Sequence, residues 1–368
     1  MEIEEILRPG SRTFFRISNA DGKTWLLPAR GMRVGLELYQ PSGIKGKMLK
    51  NLFPLLYHLP PVCRAIHAEK VRATLDPLLL DKAAAAFGVT PAKLHYSIFG
   101  GTPSVHRKIT IQFFDTSGHI LGYGKVTRSQ KVGALFEHEH RLLDALDAQG
   151  VGNIPKCLYC GDMGSGMKFF VQSTIKERGA KSPARYTPKH EAFLRSLTER
   201  TLRSLPFEDT DYARTLSELE SVAGRLPEDC RPTVMEALES VLASSRGRIV
   251  EGAACHSDFT PWNMFESGDG LYVFDWEYGR MTYPPMLDRY HFIVQQAWHV
   301  EHLDAGAIME RLREQKWFDA ADLRKYLLDI ISRRTAREPG ALPAELTRDI
   351  RLWTALLEMA REDIRHQA

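Results

Sequence analysis

The stretch CHSDFTPWNMFESGDGLYVFDWEYG, residues 255–279, carries a histidine, aspartates and an asparagine at short intervals. Asp258 and Asn263 close the two ends of one loop. Asp275 follows LYVF, which reads as a short strand ending beside that loop. A loop, a hairpin and then an aspartate bring the three together, although seventeen residues separate Asp258 from Asp275. Such a set suits phosphoryl transfer, in which a hydroxyl is oriented and the charge of a triphosphate is neutralised by a metal. Magnesium prefers hard oxygen ligands, here the Asn263 amide oxygen and the Asp275 carboxylate, and leaves Asp258 to orient the nucleophile. A capping aspartate and a turn asparagine would explain Asp258 and Asn263 alone, but not Asp275 at the end of an apolar strand next to them.

The elements around this stretch suggest an α+β chain with a β-rich lobe followed by a helical one. Residues 1–75 read as a unit of their own, an N-terminal extension of unknown role. SRTFFRIS and WLLPA form a hairpin through the turn ADGKT, and GIKGKMLKNLFPLLYHLPPV is an apolar, basic run broken at Pro54, Pro60 and Pro61. Residues 76–175 form the first lobe. It opens with the helix DPLLLDKAAAAFG, capped by Asp76 and ended by Gly88, followed by three β-rich runs, KLHYSIFG, HRKITIQFFD and ILGYGKV. The helix KVGALFEHEHRLLDALDAQG and two further strands complete it. Residues 176–368 read as helical apart from the chemistry-bearing stretch, and a ligand is expected in the cleft between two such lobes.

The segment HSDFTPWN…VFDWEYG resembles the catalytic region of the aminoglycoside phosphotransferase and choline kinase superfamily, small-molecule kinases with a protein-kinase-like bilobal fold. The shared pattern is His-x-Asp, four residues, Asn, then an apolar strand ending in Asp-Trp/Phe-Glu. The resemblance implies ATP and Mg2+ as cofactors, Asp258 as the catalytic base, Asn263 and Asp275 as metal ligands, His256 bracing the loop, and Glu277 as a structural or acceptor-site residue. Upstream, YSIFGGTPSVHRKITIQFF resembles the strands and phosphate-covering turn of the small lobe, with Gly100 and Gly101 admitting the nucleotide and Ser104 donating to a phosphate. Lys125 in LGYGKV stands where the family has its α/β-phosphate lysine. Glu139, at the head of EHRLLDAL, stands where its partner sits and is preferred to Glu137. Gln172, Ser173 and Thr174 would form the adenine-facing connection. The resemblance covers about residues 84–300. Two departures stand out: Ser257 replaces the family's Gly or Asn, and Pro284 and Arg289 replace the first Asp and the Leu of Asp-Pro-x-x-Asp-Leu, leaving Pro285 and Asp288 to hold the loop.

Bulk properties narrow the alternatives. A net charge of +3 over 368 residues, with no block of like charge, argues against nucleic-acid binding. Five scattered cysteines suggest a reducing compartment, and the acidic N-terminus does not read as a secretory signal, so a cytoplasmic protein is expected. Cys157 and Cys160 form a Cys-x-x-Cys pair with no second pair to complete a zinc site, and read as structural. Lysines beside leucines in residues 44–62 allow weak peripheral membrane contact, or else a core-covering helix with snorkelling lysines. The expected partner is a small-molecule acceptor, and nothing in the sequence indicates an oligomeric state. A sugar or glycan intermediate is favoured; choline or ethanolamine and an aminoglycoside are the alternatives, with Trp298 a candidate ammonium-facing ring. The rival of another class is a non-catalytic kinase-like nucleotide-binding module.

Overall fold

A computed structural model describes residues 1–41, 43–102, 107–268 and 270–367. The chain folds as two compact units, residues 1–147 with 153–181, and residues 148–152 with 182–368.

The first unit is built on a sheet that is, among the described residues, eight-stranded. Its strands are β1 (Leu7–Ser18), β2 (Thr24–Pro28), β3 (Glu69–Leu75), β4 (His95–Phe99), β5 (Ile109–Phe114), β6 (Ile120–Thr127), β7 (Cys157–Asp162) and β8 (Lys168–Ser173). They lie in the order β3-β1-β2-β4-β5-β6-β8-β7, and every neighbouring pair is antiparallel. Its helices are the short α1 (Met32–Gly35), then α2 (Ile44–Leu56), α3 (Pro60–Ala65), α4 (Pro77–Ala86) and α5 (Gln130–Ala148). Asp76 caps α4 as its sequence suggests, accepting the Leu78 amide at 3.0 Å.

The first 75 residues do not form a layer of their own. β1–β3 extend the sheet through β2, which pairs with β4 at Trp25–Phe99 and Leu26–Ile98. The physical reason is alternation. Phe14 and Leu26 point into one core with Tyr96, Ile98 and Ile111, while Phe15, Trp25 and Leu27 point to the other face. On that second face Phe53 of α2 is buried against Phe15, Trp25 and Met32. Pro54 does not break α2. It falls in the final turn, where a proline removes a single i→i−4 bond, and the helix runs on to Leu56.

The second unit contains α6 (Pro188–Thr201), α7 (Asp211–Val222), α8 (Arg231–Ser245), α9 (Asp288–His299), α10 (Ala305–Arg313), α11 (Ala320–Arg337) and α12 (Ala344–Gln367). Among them lie two small sheets. One has β9 (Arg203–Pro206) and β13 (Arg280–Tyr283) on either side of β10 (Ile249–Cys255); the other is the hairpin of β11 (Met264–Ser267) and β12 (Gly270–Val273). Trp276, Tyr326 and Trp353 fill the interior, and a buried Asp329–Arg333 pair, bonded at 2.8 and 2.6 Å, lies on α11. Among the described residues no helix is long and apolar enough to cross a membrane.

Candidate active site

The loop after β10 is where the second unit concentrates its polar chemistry. β10 ends in the buried run Gly252–Cys255, and the chain stays buried through His256 and Ser257 before Asp258 reaches the surface. Ser257 then adopts φ +63°, a left-handed conformation unfavourable for a residue with a Cβ. This accounts for Gly or Asn at the position in the resembling family, since both tolerate that region. The buried Asp288 carboxylate, at the start of α9, holds the turn. It accepts the His256 amide at 2.7 Å and the Ser257 amide at 2.9 Å. The replacement of the neighbouring motif residues by Pro284 and Arg289 therefore leaves the bracing by Asp288 intact; Arg289 pairs instead with Glu191.

His256 is buried, and its tautomer follows from its partners. The Asp258 amide donates to Nδ1 at 3.2 Å, and Nε2 faces the Phe274 carbonyl at 3.0 Å, so the proton sits on Nε2 and the ring is neutral. Burial pushes its pKa down, against the charges of Asp288 and Asp258. The ring packs on Trp276 at 4.5 Å, tying the Asp258 loop to the segment that carries Asp275.

Both carboxylate oxygens of Asp258 are engaged. Asn263 Nδ2 donates to Oδ2 at 2.8 Å and to the Asp258 carbonyl at 2.9 Å, while His291 Nε2 lies 3.3 Å from Oδ1. The side chain is still 35% exposed, which leaves lone pairs for a substrate hydroxyl. Burial alone would raise its pKa. The His291 hydrogen bond and charge, with Arg337 behind them, outweigh that and hold it at about 2. Such a carboxylate is suited to orienting a hydroxyl more than to removing its proton early.

Asn263 and Asp275 meet at the open end of the β11–β12 hairpin. Met264 pairs with Val273, and the Phe274 amide donates to the Asn263 carbonyl at 2.9 Å, which sets Asp275 beside the loop. Asp275 itself has φ +68°, a second left-handed non-glycine residue of the kind that clusters at functional sites. Because both acceptors of the Asn263 amide nitrogen are oxygens, its Oδ1 is the atom that would be offered to a cation. An amide oxygen and a half-exposed carboxylate fit magnesium. Glu277 is buried, and a carboxylate oxygen of it lies within 4.8 Å of one on Asp275.

In the first unit, Lys125 on β6 reaches Glu139 on α5, Nζ to Oε2 at 2.6 Å, and both are buried. Glu137 pairs with Lys168 instead, so the geometry selects Glu139. The Phe170 ring lies 5.4 Å from Lys125 Nζ. Gly101 has φ +79°, and a Cβ there would meet the Lys108 carbonyl at 2.3 Å, so only glycine fits. Gly100 is held by Arg107 Nε at 2.7 Å; Ser104 lies outside the described residues. Gln172 and Ser173 stand in register with Tyr123 and Gly122, and the Ser173 amide donates to Lys156, which leaves Thr174, past the strand end, as the first of the three to leave the sheet.

Two residues beside Asp258 escaped the sequence reading. His291 follows Asp288 by one helical turn and shares its face, a spacing visible in DRYHF. Arg337, at the end of α11, lies over the Tyr278 ring at 3.4 Å and its charge acts on Asp258; nothing local marks it in sequence. Trp298 is not an open ammonium-facing ring. Arg348 covers it at 5.4 Å and its indole N–H donates to Asp349 at 2.7 Å. Cys157 and Cys160 are free thiols whose pKa burial pushes up to about 12 and about 11, as expected of structural cysteines.

No curated protein matches the chain. Solved structures similar to it include an amicoumacin kinase in complex with AMP-PNP, Ca2+ and its ligand (14% identity, 77% of this chain and 92% of that one, TM-score 0.46). Another is a thermostable mutant of an aminoglycoside phosphotransferase in its apo form (13%, 77% and 98%, TM-score 0.48). A third is a choline kinase from Streptococcus pneumoniae (19%, 68% and 89%, TM-score 0.42). The model of the phosphotransferase enzyme family matches residues 125–315, more than half of the chain, from the buried lysine through the Asp258 loop and beyond α9. With that match, the chain belongs to the phosphotransferase enzyme family.

Proposed function

We propose that the protein transfers the γ-phosphoryl group of ATP, with magnesium, to a hydroxyl of a neutral or anionic sugar-like small molecule. The observation that carries this reading is the Asp258 carboxylate, fixed by Asn263 and His291 on a loop clamped by Asp288, with part of its surface open. Asp258 accepts a hydrogen bond from the acceptor hydroxyl and sets its line of attack; positioning and charge complementarity supply the rate, without a covalent enzyme intermediate. Asn263 and Asp275 would hold magnesium, which when bound neutralises phosphate charge. His256 fixes the loop through its two ring nitrogens. Lys125, oriented by Glu139, would contact the α- and β-phosphates; Gly100 and Gly101 would admit the nucleotide, and the stretch Gln172–Thr174 would meet the base.

Arg337 supports this acceptor class. Burial lowers its pKa only to about 10, so it stays charged at neutral pH, and among the described residues no carboxylate lies within ion-pair reach of it. A cationic choline or aminoglycoside presented to Asp258 would meet this like charge. Sugar hydroxyls would not, and an anionic substituent would be favoured by it.

The test is ADP release over a panel of sugars, sugar phosphates, choline, ethanolamine and aminoglycosides, with and without magnesium. A magnesium-dependent response to sugar-like acceptors is expected, reduced roughly 10²–10⁴-fold in Asp258→Asn. Stimulation by choline or an aminoglycoside alone would sink the acceptor assignment. Full turnover in Asp258→Asn would sink the placement of the site.

A further inference from the structure

Helix α2 presents two apolar faces where a core-covering helix needs one. Leu49 and Phe53 face inward and pack with Phe15, Trp25 and Met32. On the opposite side Ile44, Met48, Leu52 and Leu55, continued by Leu59 just past the helix, are exposed, from 41% for Leu59 to 79% for Ile44. At about 100° per residue the four positions on α2 fall within an arc of about 80°, a continuous aliphatic stripe. Lys45 and Lys47 border it on either side; both are exposed, and among the described residues neither has an ion-pair partner. Lys50, by contrast, is turned away to Glu37 at 3.1 Å. Residues 38–68 contain Lys45, Lys47, Lys50 and Arg64 and no acidic residue.

We infer that this face of the first unit docks on an anionic lipid bilayer, α2 lying in the plane of the headgroups. An aliphatic stripe with lysine borders is the pattern of an interfacial helix: the stripe enters the acyl boundary while the ammonium groups stay among the lipid phosphates. A second copy of the chain fits less well, because a symmetric contact would bring these lysine borders together with no acid in the segment to offset them. A protein partner also fits less well, since protein interfaces are depleted in lysine and enriched in aromatics and arginine, and this stripe has neither. The inference does not depend on the catalytic reading.

The experiment is flotation of the full chain with vesicles of phosphatidylcholine alone or with phosphatidylglycerol, alongside its mass in solution. The wild type is expected to float with the anionic vesicles, less so as salt rises, and to stay behind with neutral ones. Met48→Glu/Leu52→Glu should lose flotation with an unchanged melting temperature, because both side chains already face out. Lys45→Glu/Lys47→Glu should lower partitioning roughly tenfold or more. Failure of the wild type to float with anionic vesicles, equal flotation of the Met48→Glu/Leu52→Glu variant, or a dimer that this variant dissolves without any vesicle binding would each overturn the proposal.

Discussion

Asp288→Asn isolates what holds the Asp258 loop. In the wild type one buried carboxylate accepts two amides, from His256 at 2.7 Å and Ser257 at 2.9 Å. Hydrogen bonds to a charged group contribute roughly 1.5–3 kcal/mol each. They oppose a left-handed Ser257, whose conformation costs roughly 1–2 kcal/mol. The asparagine keeps one oxygen and turns an N–H2 towards the second amide, so one bond is lost and the other becomes a neutral one. A net loss of about 2–3 kcal/mol then nearly cancels what held the turn. At 1.36 kcal/mol per factor of ten, the equilibrium constant of the held turn falls roughly 30- to 150-fold, to near one, so about half the molecules keep Asp258 in place and kcat should fall about twofold. The KM for ATP should change little, because Lys125 and Glu139 are untouched. The assay is steady-state ADP release together with a thermal melt, which should move down. An unchanged kcat at an unchanged melting temperature would refute the idea that Asp288 sets the loop.

Glu139→Ala should destabilise the first unit by about 3–5 kcal/mol, because it breaks a buried ion pair of 2.6 Å, whereas Lys125→Met/Glu139→Leu should recover most of that stability in denaturant melts while losing nucleotide-induced stabilisation. The buried His190 links folding to pH. Burial pushes its pKa from the ordinary 6.5 down to about 4, and its Nδ1 accepts the Thr187 amide at 3.0 Å, which requires a neutral ring. Protonation therefore favours the unfolded chain. Its contribution is complete above pH 6.5, falls by about 3 kcal/mol as pH drops to about 4, and is flat below that; a titration of His190 by NMR at its ordinary value would refute this.

How much of this was legible in the sequence depended on range. Asp258, Asn263 and Asp275 could be read because one loop and one hairpin connect them, and hairpin register is a local property. Lys125 and Glu139 could be read from position in a strand and a helix, although spacing alone did not decide between Glu137 and Glu139; the Lys168 side chain settles that, and it comes from a strand beyond the helix. Arg337 was not legible, because it reaches Tyr278 from a helix that follows it by more than forty residues. The place of β1–β3 was hidden for a similar reason. Their alternation marks them as strands but does not say which edge they join, and the pairing that decides it, Trp25 with Phe99, spans a long stretch of intervening chain.

That pairing has a consequence for anyone trimming the protein to its recognisable portion. β4 is an interior strand only because β2 lies against it, the Trp25 indole stacking on Phe99 at 5.1 Å and the Tyr96 hydroxyl taking the Leu75 amide. Deleting residues 1–75 would lay bare a row of backbone donors and acceptors next to Phe99, the kind of border along which separate molecules zip together into precipitate. The opening segment is thus the selvedge of the fabric, and the chain from residue 76 onward should prove insoluble without it.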